Sequence, residues 1–539
     1  MLFSSLSELP NREKQLDVLV IGSGAAGMVS ALRVSQNGKS VLVVEKSSFL
    51  GGTTAAGGGV SWIPNNHLME EAGWIDDVVA AKEYLAAVTN NLMSETQIDW
   101  YVNTGRRFIH WLIANSRVRL QPLSRPDYHG SAPGAKTGRG LDNAPFDLKP
   151  WPEVAEILRP PTYFPLISMA ERDQLSGALP DQELLEWRAA NNIRTMGGAL
   201  AGALIVSALE KGVDIVRGTS VKSLHRISDS EYEVTLAGDI QTTIVSRNVI
   251  IASGGFEWNS HLRENLLPYP ITPISAPSNE GDGLYLALKL GADIENTQAL
   301  WGVPVICPPD SQYDGVQGGR MGNVEMTLPG AILINSKGKR FINEALNYHD
   351  LNRIFINTDP ATGDWENIPA WLIVDDRYIQ RYSLSGSTPG KPLPWFIQRG
   401  SLKELAGAIQ VDGQGLEDTV SNFNRHAVDG KDPEFHRGET DEDRHLGDPR
   451  QSPNPCLAPL KTPPFYAVQI YPGTLGTAGG IKVSLDGRVL DPEGNPIPGL
   501  WAAGNCSSTI FQGAYPGGGA TLGAAMVRAF AVAESLTRT

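Results

Sequence analysis

The chain has 539 residues and a formal net charge of -14, with 41% hydrophobic and 19% charged residues. That length exceeds one ordinary core and calls for two domains. The acidic balance excludes nucleic acid as a partner, no apolar run is long enough to span a bilayer, and the three scattered cysteines (Cys307, Cys456, Cys506) exclude a disulfide framework or a CxxC metal site.

In chain order, the N-terminus lacks a basic stretch followed by a long apolar core, so no signal peptide and a cytoplasmic location are expected. Residues 17–21 (DVLVI) read as a buried strand, Ala25 to Gln36 as a helix and Ser40 to Val44 as a second strand, which makes a βαβ unit. Gly51 to Gly59 reads as a glycine-rich loop and residues 198–211 as an apolar helix. Tyr232 to Leu236 and Asn248 to Ala252 read as strands, and residues 281–291 as a helix ending in glycine. From about 295 to 465 prolines and aromatics are frequent and periodicity is weak; the charge-rich stretch 428–450 reads as a solvated loop. Regular patterning returns with strands at Ile481 to Val483 and Gly499 to Ala503 and a helix from Ala520 to Leu536. The expected fold class is therefore α/β: a Rossmann-type, glutathione-reductase-like domain made of residues 1–294 and 466–539, with an inserted α+β catalytic or cap domain over 295–465.

The strongest local signal is Gly22-Ser23-Gly24-Ala25-Ala26-Gly27 between a strand and a helix. Gly22 permits the tight turn, Gly24 lets backbone approach a pyrophosphate, and Gly27 lets the helix pack on the strand. The helix N-terminus offers N–H groups to the phosphates. Glu45 ends the second strand, 21 residues after Gly24, where a carboxylate accepts from ribose hydroxyls. FAD is preferred over NAD because a second glycine-rich loop follows, with Gly52, Thr53, Thr54, Gly58, Gly59 and Val60, and because a C-terminal strand ends at Gly504-Asn505. Both segments suit contacts along an isoalloxazine ring. No metal is expected.

The run GSGAAGMVSAL…VEK…GGTTAAGGGVSWIPNN resembles the fumarate reductase and succinate dehydrogenase flavoproteins, and among them most closely the 3-ketosteroid Δ1-dehydrogenases. RPDYH at 125–129, NVIIASGGFEW, GKRFINE through Tyr348, PPFYAVQIYPGTLGTAGGI and GAYPGGGATLGAAM carry the same resemblance across nearly the whole chain. It implies further FAD contacts at Lys46, Val221, Ser253, Gly254, Asp282, Thr521 and Leu522, with FAD held non-covalently. Fumarate-type reductases clamp a dicarboxylate with a His and an Arg from two C-terminal segments. Here those segments read Gly473 to Thr477 and Ala514 to Gly517 and contain neither residue, so a neutral ketone is expected as substrate.

Desaturation beside a carbonyl needs an enolate-stabilising donor, a base for the α-proton and a hydride acceptor, the last supplied by flavin. Tyr515 and the Gly519 N–H, at a Pro-Gly turn ahead of the C-terminal helix, suit an oxyanion hole, and the resemblance gives them that task. It also implies Tyr348 as base with Tyr128 assisting, although a phenol with a pKa near ~10 needs a positive or hydrogen-bonding neighbour to act as a base at neutral pH. His129 and His349 are expected at the surface or behind the site, and Trp62 is a candidate for the substrate pocket. The expected function is FAD-dependent C1–C2 desaturation of a 3-ketosteroid, with an unidentified electron acceptor. The alternatives are desaturation of a smaller cyclic ketone, flavin-dependent alkene reduction, and a non-catalytic flavin-binding module.

Overall fold

Val18, Leu19 and Val20 leave no polar side chain on either face of their strand, so both faces must be covered. In the computed structural model, which describes residues 1–10, 15–175, 178–229 and 231–538, strand Leu16–Ile21 lies at the centre of a nine-stranded sheet. It runs parallel to Val41–Val44 on one side and to Gln241–Ile251 on the other. Asp214–Val216 and Leu2–Phe3 extend the sheet beyond Val41–Val44, and Pro496–Ala502 joins Gln241–Ile251 in parallel. Helix Ala25–Ser35 packs between helices Met196–Glu210 and Ala520–Arg538, and together they cover one face of the sheet.

Several boundaries differ from the sequence reading for physical reasons. The strand expected at 248–252 begins at Gln241. Its first half alternates buried and exposed residues because it belongs to an antiparallel meander with Glu231–Ala237 and Ser220–Ser228; only its last three residues are continuously buried. The loop expected at 51–59 contains a short helix, Gly52–Ala56, entered through Gly51 at φ 98°.

A second sheet, of seven strands, is organised on Phe465–Thr477. That strand pairs antiparallel with Leu300–Ile306 and Ala370–Asp375, and Ala331–Ile334 lies next to the latter. The amphipathic helices Leu402–Ile409 and Gly413–Ala427 pack their apolar faces behind it through Leu405, Ile409, Leu416 and Phe423.

The stretch 428–450 is not a solvated loop. It carries the short helix Asp441–His445, and several of its charges are buried. Arg340 Nη2 lies 2.7 Å from both Glu344 Oε2 and Asp432 Oδ2, and Arg437 Nη1 lies 3.1 Å from the same Glu344 oxygen. Arg437 Nη2 also donates to the carbonyls of Met326 and Thr327. Burial pushes the Glu344 carboxyl up, but Arg340 and Arg437 outweigh it and hold the group below the usual carboxylate range. Removing one partner from such a lattice typically costs about 3–5 kcal/mol, because the remaining charge stays buried. Among the described residues no helix is long and apolar enough to cross a membrane.

Candidate active site

The glycine motif folds as its spacing requires. Gly22 has φ 107°, and a Cβ there would lie 2.4 Å from the Ala252 carbonyl oxygen of the neighbouring strand. A Cβ on Gly27 would come 2.0 Å from the Gly22 oxygen, so Gly27 seats the helix and does not itself face the ligand space. Gly24 leaves open space: a Cβ there would meet nothing nearer than Thr54 Oγ1 at 3.7 Å.

Beyond this turn runs one continuous cavity of about 300 Å³. It is bordered by Gly22 to Ala26, Glu45 and Lys46 at the motif end, with Val221, Ser253, Gly254 and Asp282 beside them. Gly52 to Thr54 and Gly58 to Val60 follow, opposite Gly504, Asn505, Thr521 and Leu522. Every residue expected to touch FAD except Gly27 therefore lines it. Glu45 Oε2 accepts from Ser23 N at 3.0 Å and Ser23 Oγ at 2.7 Å, and Oε1 accepts from Ser47 N, which fixes the carboxylate at the cavity wall. Lys46 bridges Glu280 and Asp282, each at 2.6 Å. The Ser253 hydroxyl is buried without a partner among the described residues, as a group awaiting a ligand atom would be. This donor set and the side-chain-free cradle fit FAD.

The far end of the same cavity gathers the three tyrosines. Tyr348 Oη donates to Tyr515 Oη at 3.1 Å, and Thr521 Oγ1 donates to the same oxygen at 3.3 Å. The Tyr128 ring lies 5.5 Å from that of Tyr348 and 5.6 Å from that of Tyr515. The Tyr515-Pro516-Gly517 turn is held because the Pro516 carbonyl accepts from Tyr84 Oη and Tyr128 N. Gly519 has φ 100°, its would-be Cβ 2.5 Å from the Val60 oxygen, and its N–H has no partner among the described residues. A phenol that accepts two hydrogen bonds keeps its own proton to donate, so the site presents a phenol and a free N–H at one cavity end.

Trp62 does not line this cavity. Its ring is 1% exposed, its Nε1 donates to Asp127 Oδ1 at 2.8 Å, and a Cβ on Gly517 would meet it at 2.4 Å. It braces the tyrosine turn from beneath. His349 stacks on Tyr515 with centroids 5.4 Å apart, its Nε2 faces the Gly513 carbonyl, and burial keeps its imidazole neutral. His129 faces Asp350 at 3.2 Å.

Two groups were not singled out by sequence. Arg125 borders the cavity, clamped bidentately by Asp173. It acts on both Tyr128 and Tyr348, so it is a positive neighbour of the kind a phenolate needs. Its place in the RPDYH run was the available signal. Glu442, in the stretch taken for solvated loop, also borders the cavity; burial, with Asp443 and Asp350 adding to it, pushes its carboxyl up to about 9. It is therefore neutral at pH 7. Burial, then Tyr128 and Tyr515, push the Tyr348 phenol well above its usual value.

The family described as "FAD binding domain" matches residues 17–522. The chain is 36% identical to the 4-oxocyclohexanecarboxylate 2-dehydrogenase of Sinomonas cyclohexanicum, over 96% of this chain and 92% of that protein. It is 34% identical to the 3-oxosteroid 1-dehydrogenase of Mycolicibacterium smegmatis, over 98% of each. Among solved structures it superposes with a TM-score of 0.90 on the 3-ketosteroid delta1-dehydrogenase of Sterolibacterium denitrificans in complex with 1,4-androstadiene-3,17-dione, at 34% identity, covering 97% of this chain and 99% of that one.

Proposed function

The chain belongs to the FAD-binding flavoprotein family that holds the 3-oxosteroid 1-dehydrogenases, and from that premise we propose that it desaturates a 3-ketosteroid between C1 and C2. The observation that carries this reading is the tyrosine cluster at one cavity end, with Tyr515 and the free Gly519 N–H beside Tyr348. In this reading Tyr515 Oη and Gly519 N–H hold the keto oxygen and take up negative charge as the enolate forms. Tyr348 Oη takes the proton from C2, with the Tyr128 ring beside it and Arg125 as the positive neighbour that favours the phenolate. FAD supplies the acceptor for the hydride leaving C1. Anaerobic mixing with androst-4-ene-3,17-dione is expected to bleach the flavin and yield the 1,4-diene. An oxidised spectrum that persists with every cyclic ketone tried would refute the reading.

A second reading keeps the chemistry and shrinks the substrate to a single cyclohexanone-type ring. It is favoured by the 36% identity to a dehydrogenase of 4-oxocyclohexanecarboxylate. We further propose that residues 295–465, completed by the strand Phe465–Thr477 on which their sheet is organised rather than stopping at 465, serve as the catalytic domain inserted into the FAD domain, and that the enzyme works in the cytoplasm, in keeping with three unpaired cysteines.

FAD is proposed to be bound without a covalent link. His67, the histidine just past the second glycine loop, stacks on His110 at 3.7 Å and does not border the cavity. Acid precipitation should leave all flavin in the supernatant; colour in the pellet would contradict this. Glu45 is proposed to hold the ribose. Glu45→Gln turns an amide N–H2 toward the Ser23 or Ser47 donors, and it should weaken FAD binding roughly ten- to hundredfold by titration of apoprotein. Turnover per bound flavin should stay near the wild-type value, and its collapse would move Glu45 away from the ribose.

A further inference from the structure

Two guanidinium groups border the cavity, and their charges are balanced differently. Arg125 is paired with Asp173. Arg172, on the short helix Met169–Leu175, makes a single side-chain hydrogen bond among the described residues, from Nη1 to Met169 Sδ at 3.7 Å, and no ion pair. The acids that act on it are committed elsewhere: Asp173 to Arg125 and His445, and Glu325 to Arg320 at 4.0 Å. Burial and the neighbouring Arg125 both pull the Arg172 group below its ordinary value. A cation in that position gains most from an anion brought to it.

The place of Arg172 along the cavity is also defined. Met169, three residues before it, abuts Gly58 and packs with Val60, and Val60 is the residue whose carbonyl closes on Gly519. Asp173, the next residue, holds Arg125 beside Tyr128 and Tyr348. Arg172 therefore stands at the tyrosine end of the cavity, away from the Glu45 and Lys46 end that suits the nucleotide. The Phe164 ring lies 5.9 Å from its guanidinium carbon and gives that stretch of wall an apolar flank.

We propose that Arg172 is the anchor for a carboxylate on the substrate, and that the chain's preferred substrates are cyclic ketones carrying an acid group remote from the reacting carbonyl. The inference rests on the desaturase reading above and narrows it. The lack of a clamp in the two C-terminal segments led to an expected neutral ketone; here the cation comes from a different helix. A guanidinium fork meets a carboxylate with two parallel charge-assisted hydrogen bonds, while the tyrosine end holds the ketone. The anchor acts equally before and during hydride loss, so its effect belongs in KM.

The test compares 4-oxocyclohexanecarboxylate with its methyl ester on the holoenzyme, its Arg172→Leu variant and its Arg172→Lys variant, with androst-4-ene-3,17-dione as a ketone without an acid. Wild type should favour the acid over the ester. Arg172→Leu should cut kcat/KM for the acid by about 10- to 100-fold, mainly through KM. The ester should fall by no more than a few-fold, and Arg172→Lys should recover part of the loss. A flavin spectrum and FAD content like the wild type establish that the variant is folded. Equal losses for acid and ester, or a shifted flavin potential accompanying them, would assign Arg172 to the cofactor and overturn the proposal. Bleaching by neutral ketones with no preference for the acid overturns this inference alone. Bleaching by none of the three ketones overturns the desaturase reading with it.

Discussion

Tyr515→Phe is expected to lower the rate of flavin reduction by about 10²–10³-fold, the usual cost of one oxyanion donor. The substitution removes a hydroxyl from a ring packed among Trp301, His349, Tyr128 and Tyr348, whose centroids lie 5.2 to 5.6 Å away. Phenylalanine fills the same space, so the melting temperature and FAD content should change little. The loss should fall on the reductive half-reaction rather than on substrate binding, because the hydrogen bond strengthens as the keto oxygen gains charge. Two existing partners sharpen the expectation. Tyr348 and Thr521 both donate to the Tyr515 oxygen, which polarises its O–H toward the cavity. Thr521→Val should therefore give a smaller loss in the same direction. Stopped-flow reduction by the ketone under anaerobic conditions measures both. A Tyr515→Phe enzyme reducing its flavin at the wild-type rate would remove the residue from the mechanism.

The nucleotide half of the molecule is legible in sequence because its signals are local. Gly22, Gly24 and Gly27 act within one turn, and the apolar runs at 17–21 and 41–44 demand burial wherever they are placed. The C-terminal helix is legible for the same reason. The stretch 428–450 misleads because a charge reads as solvated until its partner is known. Asp432 meets Arg340, 92 residues earlier in the chain, and Glu442 turns into the cavity. Trp62 ends a glycine loop that faces the ligand space, yet its own ring turns under the tyrosine bend to reach Asp127. The tyrosine cluster has no local signature. Tyr348 and Tyr515 are 167 residues apart and meet only when the short helix Tyr348–Arg353, packed on strand Leu300–Ile306, comes up against the turn ahead of the C-terminal helix; family resemblance, not pattern, pointed to them. Arg172 was invisible because an unpaired cation is defined by what surrounds it.

Tyr348→Phe should be at least as damaging as Tyr515→Phe, because it removes the atom proposed to accept the α-proton; loss of a positioned base costs about 10²–10⁴-fold. It should also differ in kind. The variant should no longer exchange the α-proton of a bound ketone with solvent deuterium, whereas Tyr515→Phe should slow that exchange only as far as it slows reduction. The pH dependence gives a second mark. The reactive form is the phenolate, and burial, Tyr128 and Tyr515 hold the Tyr348 phenol above its ordinary value. Arg125 opposes this only in part, since Asp173 already claims its charge. The phenolate fraction should then rise with pH across the whole range below that raised value, and the wild-type reduction rate should climb with it rather than level off near neutrality. In Tyr348→Phe the same profile should be flat. Because Tyr348 donates to Tyr515, the two residues act as a unit, and the double variant should be little slower than the worse single one. Fully additive losses, or a pH profile that survives in Tyr348→Phe, would mean that another group takes the proton.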